Sequence, residues 1–224
     1  MHNFLNTLEA QFKKEANDSI AEGQKAYMRN QFDFYGVKTP VRRRIQRELF
    51  KKDILPPKQE LHQLVKILWG LPQREHQYVA QELARKYIKN FEEDDIILYE
   101  HMITHKSWWD TVDFIAATLV GVYFKTFPHK INEVTTRWMA SDNIWLQRST
   151  VLFQLKYKEN LNTEFLAKTI KSLLGSKEFF INKAIGWVLR EYGKTNKEWV
   201  LQFAANTSLD SLSKREALRL IKRP

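Results

Sequence analysis

Apolar residues recur along the chain at spacings of three and four, and strict alternation is rare. That is the period of amphipathic helices, and it predicts an all-α fold. Leu5, Leu8 and Phe12 make the first apolar stripe, and Ala26, Tyr27 and Phe32 are assigned to the helices that follow. The turn Gly36-Val37-Lys38-Thr39-Pro40 ends this opening unit, with Pro40 suited to a first helical position. A basic helix is predicted over Val41–Phe50. Pro56-Pro57 then breaks the chain, a helix ends near Trp69-Gly70, and Leu71-Pro72 starts another.

A longer period lies over the helical one. Leu61, Ile96, Ile131, Leu166 and Leu201 stand 35 residues apart, and Leu68, Ile103, Trp138 and Leu173 repeat the interval. Tyr87, Tyr157 and Tyr192 follow it at 70 and then 35. Such a period holds two helices of about twelve to fifteen residues and two short loops, one helical hairpin per repeat. A hairpin of this size buries its apolar face only by stacking on its neighbours. The expected architecture is therefore a superhelical solenoid of antiparallel helical hairpins, a single domain over residues 1–224 with a concave surface along one series of helices. Trp69, Trp138, Trp145 and Trp199 are expected in its core.

The same interval carries a polar register: Arg43, Tyr78, Asp113, Arg148 and Lys183. On the second helix of each hairpin these positions would form a row, basic and aromatic apart from one acid. That composition does not suit a buried seam. It predicts the lining of the concave surface, with Arg and Lys holding a phosphate backbone, and a solvated ridge of charge is the plainer alternative. The net charge of +10 and pI near 9.6 agree with a polyanionic partner, nucleic acid ahead of a membrane surface. The chain has no cysteine, so disulfide and thiolate chemistry are excluded. Met1-His2-Asn3-Phe4-Leu5 lacks a signal-peptide pattern, and no run of eighteen apolar residues occurs. A cytoplasmic protein is expected.

The candidate chemistry centres on Lys106-Ser107-Trp108-Trp109-Asp110-Thr111-Val112-Asp113. Trp109 and Asp113 are four residues apart, so a helix sets indole and carboxylate on one face, leaving Trp108 to pack inward. Trp187 stands four residues after Lys183 and three before Arg190, and Gly186 beside it is read as room for something bulky. A carboxylate with two indole faces makes a site for positive charge. Pairing of Asp113 with Arg148, one repeat along, is the sober alternative. His101 and His105 lack a third ligand, and no phosphate-cradling glycine loop occurs, so neither metal nor cofactor is expected. The Glu92-Glu93-Asp94-Asp95 run suits a helix N-terminus.

These blocks resemble the AlkD family of bacterial DNA alkylation-repair glycosylases. The resemblance is carried by residues 106–113, by Ser141-Asp142-Asn143-Ile144-Trp145-Leu146-Gln147-Arg148, and by Ser176-Lys177-Glu178-Phe179-Phe180 running into residues 184–192. Leu212-Ser213-Lys214-Arg215-Glu216-Ala217 adds a C-terminal match, so nearly the whole chain is covered. The resemblance implies HEAT-like repeats and excision of cationic N3- and N7-alkylated purines from double-stranded DNA, without metal or cofactor and by a monomer acting on the bacterial nucleoid. It implies a catalytic cluster of Trp109, Asp113 and Trp187 with Arg148 beside it. Arg148 would hold a phosphate and orient Asp113. DNA contacts are implied at Tyr27, Lys38 and Thr39, with Lys38 standing where the family has Gln; Arg43, Lys183, Arg190 and Lys194 are candidate DNA contacts beside them. The competing readings are a non-catalytic HEAT-like DNA-binding protein and, with less support from the charge, a protein-binding solenoid.

Overall fold

Helix starts follow the residues placed just before them. Asn17, Asn162, Asn196 and Asp210 each accept a hydrogen bond from a backbone N–H of the following first turn, satisfying donors that a helix start leaves open. The structure, a computed structural model, describes residues 2–221; Met1 and Lys222-Arg223-Pro224 lie outside the described residues. In order the helices are α1 (His2–Lys14), α2 (Asp18–Tyr27), α3 (Thr39–Leu49), α4 (Leu61–Gly70), α5 (Arg74–Lys86), α6 (Asp95–Thr104) and α7 (Trp109–Phe114). A π-helical stretch, Ile115–Val120, leads into α8 (Gly121–Thr126). Then come α9 (Lys130–Ala140), α10 (Ile144–Leu152), α11 (Thr163–Ser172), α12 (Phe179–Tyr192), α13 (Lys197–Asn206) and α14 (Ser211–Leu218). No strand occurs among the described residues, only an isolated bridge between Asp33 and Gln73.

The long period is written in the helix starts. α3, α5, α7, α10 and α12 begin at residues 39, 74, 109, 144 and 179, and the five polar register residues are each the fifth of their helix. The apolar series is less uniform. Leu68, Ile103, Trp138 and Leu173 are all buried, whereas Leu201 is 39% exposed because α13 turns Val200 and Ala204 inward instead.

Contacts divide the chain into two compact units, Met1–Leu98 and Tyr99–Pro224, and the division falls within α6. In the first unit Leu64, Val65 and Leu68 of α4 and Val79, Ala80 and Leu83 of α5 are fully buried, and the two helices pack together. In the second, Val151, Leu152, Leu166, Ile170, Ile181, Ile185, Val188 and Val200 share one core. Each such side chain stabilises the fold by roughly 1.5–3 kcal/mol.

Several sequence expectations shift. α5 starts at Arg74 rather than at Leu71-Pro72, and Phe32 lies outside any helix, with the Arg74 guanidinium 3.8 Å from its ring centre. Of the basic helix, Arg42 is buried, paired with Glu82 at 3.1 Å and set over the Tyr78 ring at 4.9 Å. Trp69 and Trp138 are core residues, but Trp145 and Trp199 are half-buried. Asp95 begins α6 as expected and is also buried, accepting from Lys58 at 2.5 Å and from the Glu92 N–H at 2.9 Å, with a His62 ring nitrogen 2.7 Å away. Among the described residues no helix is long and apolar enough to cross a membrane.

Candidate active site

Lys106 adopts a left-handed backbone (φ 48°), and Ser107 donates to the Ile103 carbonyl at 2.6 Å, so α6 is closed off and the chain turns sharply. Trp108 follows in extended conformation as the N-cap of α7. Trp109 opens that helix and Asp113 sits one turn further on, sharing its face. Directly after Phe114 the winding loosens into the buried π stretch. Stretches of this kind concentrate at functional sites. Here the wide turn is supported from outside. The Tyr157 hydroxyl donates to the Gly121 carbonyl at 2.6 Å and Lys156 donates to the Thr118 hydroxyl at 2.7 Å. A Cβ on Gly121 would lie 2.5 Å from the Phe153 carbonyl oxygen, so glycine is what lets that strut approach.

Arg148 comes from α10, which packs on α7. Its Nε donates to Asp113 Oδ1 at 2.7 Å and its Nη2 to Oδ2 at 2.8 Å, a two-pronged charge-assisted pair. Its Nη1 donates to the Phe180 carbonyl on α12. Three helices therefore meet in one guanidinium. The Arg148 side chain is 4% exposed and that of Asp113 15%, so the acid is the more exposed member of a largely buried pair. Burial raises the Asp113 pKa above the usual aspartate value, the Arg148 bonds and charge oppose that, and Asp110 adds to the rise. The expectation that Arg148 holds a phosphate is not met, because the group is buried and turned toward Asp113 and Phe180. Its geometry is that of a positioning residue.

The neighbouring indoles separate because Trp108 is the extended residue ahead of α7 and Trp109 is its first helical residue. Trp108 packs into a three-ring cluster, 5.8 Å from Trp145 and 5.1 Å from Phe180, with Trp145 and Phe180 4.9 Å apart. Trp109 is half-buried beside Asp113 in the helix register. Trp187 is half-buried on α12, packed against the core of the second unit. It also lines a cleft of about 490 Å³ with Lys156, Lys158, Tyr192 and Lys194.

On α12, Lys183 and Arg190 both engage Glu216 of α14. Lys183 Nζ lies 2.9 Å from Glu216 Oε1, and Arg190 Nη1 donates to Oε2. Lys183 first, then Arg190, holds the Glu216 carboxyl below its usual value. The space beside Gly186 is taken by this helix and not by an incoming ligand: a Cβ there would lie 2.5 Å from the Glu216 Cβ and 2.9 Å from the Ser213 carbonyl oxygen. Lys194 is exposed and pairs with Glu191 at 2.6 Å.

The remaining candidates belong to the first unit. Tyr27 is 70% exposed, Lys38 and Thr39 are exposed, and Arg43 is exposed with Glu82 at 3.7 Å. What shapes their turn is Glu75, a buried carboxylate that accepts from the backbone N–H groups of Tyr35, Gly36 and Val37 at 3.0–3.1 Å. Burial raises its pKa and those backbone bonds oppose the rise. Gly36 has φ 83°, and a Cβ on it would overlap the Asn17 carbonyl oxygen. Glu75, Phe180 and Glu216 were not singled out from sequence, since each acts on residues 26 to 40 positions away.

The family model of the DNA alkylation repair enzymes matches residues 8–221. The chain belongs to the DNA alkylation repair enzyme family. A similar solved structure, described as a predicted DNA alkylation repair enzyme from Enterococcus faecalis, is 31% identical with a TM-score of 0.86, covering 94% of this chain and 98% of that one. No curated protein matches. For a member of this family, the Asp113–Arg148 pair with Trp109 on the Asp113 face is the strongest chemical feature of the second unit.

Proposed function

We propose that this DNA alkylation repair enzyme is a monofunctional glycosylase of the AlkD type, hydrolysing the N-glycosidic bond of cationic N3- and N7-alkylated purines in duplex DNA. The observation that carries the reading is the carboxylate of Asp113, held on both oxygens by a buried arginine yet itself still partly exposed. An alkylated purine is already a cationic leaving group, so no acid has to protonate it. Its departure leaves an oxocarbenium-like sugar, as in glycoside hydrolysis. Each carboxylate oxygen retains a second acceptor direction. Asp113 uses these to stabilise the sugar cation and to orient and deprotonate the attacking water, and its raised pKa makes it a stronger base than a solvated aspartate. Trp109 and Trp187 would contribute roughly 0.5–2 kcal/mol each by facing positive charge. Tyr27, Lys38, Thr39, Arg43, Lys183, Arg190 and Lys194 would grip the DNA backbone.

The second reading, a DNA-binding protein without catalysis, draws on the same ion pair, since a carboxylate engaged by arginine can be purely structural. Base release from a duplex bearing one N7-methylguanine separates the two. The wild type should release the base, and Asp113→Asn should be slower by roughly 10²–10³-fold, the usual loss on removing one electrostatic stabiliser. Equal release by both proteins, or by neither, rejects the catalytic assignment.

A further inference from the structure

Lys183, Trp187 and Arg190 occupy positions i, i+4 and i+7 of α12 and so share one face, about 10.5 Å of helix axis from first to last, and the two cations lean together from its ends. Both cations are bound from behind by a single carboxylate, one oxygen each. The Glu216 side chain is 10% exposed, against 40% for Lys183 and 21% for Arg190. An ammonium has three donors and a guanidinium five, so each cation keeps most of its donors after this contact. Gly186 and Ser213 explain how the carboxylate reaches this place. The missing side chain lets α14 close onto α12, and Ser213 fastens it by donating to the Asn182 carbonyl at 2.8 Å. No other helix pair among the described residues packs as extensively.

We propose that Glu216 is a positioning residue for DNA binding, built on α14 to hold Lys183 and Arg190 close together as a two-pronged phosphate clamp on the Trp187 face of α12. The inference rests on the DNA-binding part of the proposed function and extends it to a helix outside the polar register. Free lysine and arginine side chains lose rotamer freedom when they meet a phosphate, and a cation already held by its carboxylate loses less. The second unit thereby trades one positive charge for geometry.

Simple charge counting and positioning predict opposite signs, which makes the test sharp. Removing a negative charge from a DNA-binding face should tighten binding and steepen its salt dependence. If Glu216 positions the clamp, Glu216→Gln instead weakens binding to an undamaged duplex by about three- to tenfold at low salt, with a shallower slope of log affinity against log salt. The full chain is used, with fluorescence anisotropy on a 25-base-pair duplex across a salt series. Lys183→Gln and the double variant complete a cycle. Positioning predicts that Glu216→Gln costs less once Lys183 is gone, whereas general loosening of the fold would give additive losses. Should Glu216→Gln fail to fold by circular dichroism, Glu216→Asp, which keeps the charge on a shorter arm, carries the same binding measurement. Tighter binding, a steeper slope or strict additivity overturns the proposal. The readout uses undamaged DNA, so absence of base release would reject the glycosylase reading and leave this one standing, whereas absence of any DNA binding by the wild type would reject both.

Discussion

Two carboxylates, the fully buried Glu75 of the first unit and the partly buried Asp113 of the second, are treated by the fold in contrasting ways. Glu75 is 1% exposed and satisfied by three backbone N–H groups of one turn. Asp113 is held by a side chain, Arg148, and stays 15% exposed. In both, burial pushes the pKa up and hydrogen bonds push it down. The difference lies in what the donors are attached to. Backbone donors make Glu75 part of the chain path, so its job ends with shaping residues 35–37 ahead of Lys38 and Thr39. A side-chain donor anchored to the Phe180 carbonyl holds Asp113 in place without closing its other face. A buried acid is thus a clue to chemistry only when its satisfied side is turned inward and something is left over.

The largest effect that would test this contrast is on Arg148. Lysine keeps the charge but offers a point donor in place of a planar fork, and it cannot bridge both Asp113 oxygens and the Phe180 carbonyl. Arg148→Lys should therefore slow base release by about 10–10²-fold, as loss of an orienting partner does, with affinity and salt slope on undamaged duplex unchanged. A parallel fall in affinity and slope would return Arg148 to a phosphate-holding role and break the distinction between positioning and binding.

The reciprocal effect is expected at Glu75. Glu75→Gln keeps one acceptor oxygen for three N–H groups and turns a donor toward them, at a cost of about 1–3 kcal/mol. Thermal unfolding should show a lower midpoint for the variant. Release by the folded fraction, measured well below that midpoint, should stay within about twofold of wild type. A large loss of activity in a variant that is still folded would mean that the first unit's turn is coupled to the chemistry and not merely to the fold.

How far the sequence revealed this contrast depends on distance along the chain. The period of 35 was legible, because apolar spacing records helix faces and helix faces record stacking, but individual helix starts such as that of α5 were not. The same register paired Asp113 with Arg148 one repeat apart. What stayed hidden were contacts that ignore the register. Glu216 reaches Arg190 from 26 residues away on a helix with no matching partner, and Glu75 acts on backbone groups, for which no side-chain pattern can exist. Gly186 was legible as a place of close approach, but not as one filled by the protein's own α14. The general preference of tryptophan for the interior puts Trp145 in the core, whereas here it belongs to the half-buried ring cluster with Trp108 and Phe180.

The smallest effect expected is also the finest discriminator between the two acids, because it uses their shared direction of pKa shift. A carboxyl whose pKa is higher folded than unfolded binds its proton more readily in the native state. Its contribution to stability is therefore present at low pH and declines as pH rises from the unfolded value toward the folded one. Glu75 and Asp113 share this sign, so pH-dependent stability cannot tell them apart. The rate can. Base release needs Asp113 ionised, so single-turnover rates, corrected for spontaneous depurination, should fall on acidification with a limb above the ordinary aspartate value of about 3.9. Glu75→Gln should leave that limb where it is, while Asp113→Glu should move or erase it. A limb that shifts with Glu75 instead, or a rate flat down to the ordinary aspartate range, would show that the acid open to solvent is not the acid that does the work.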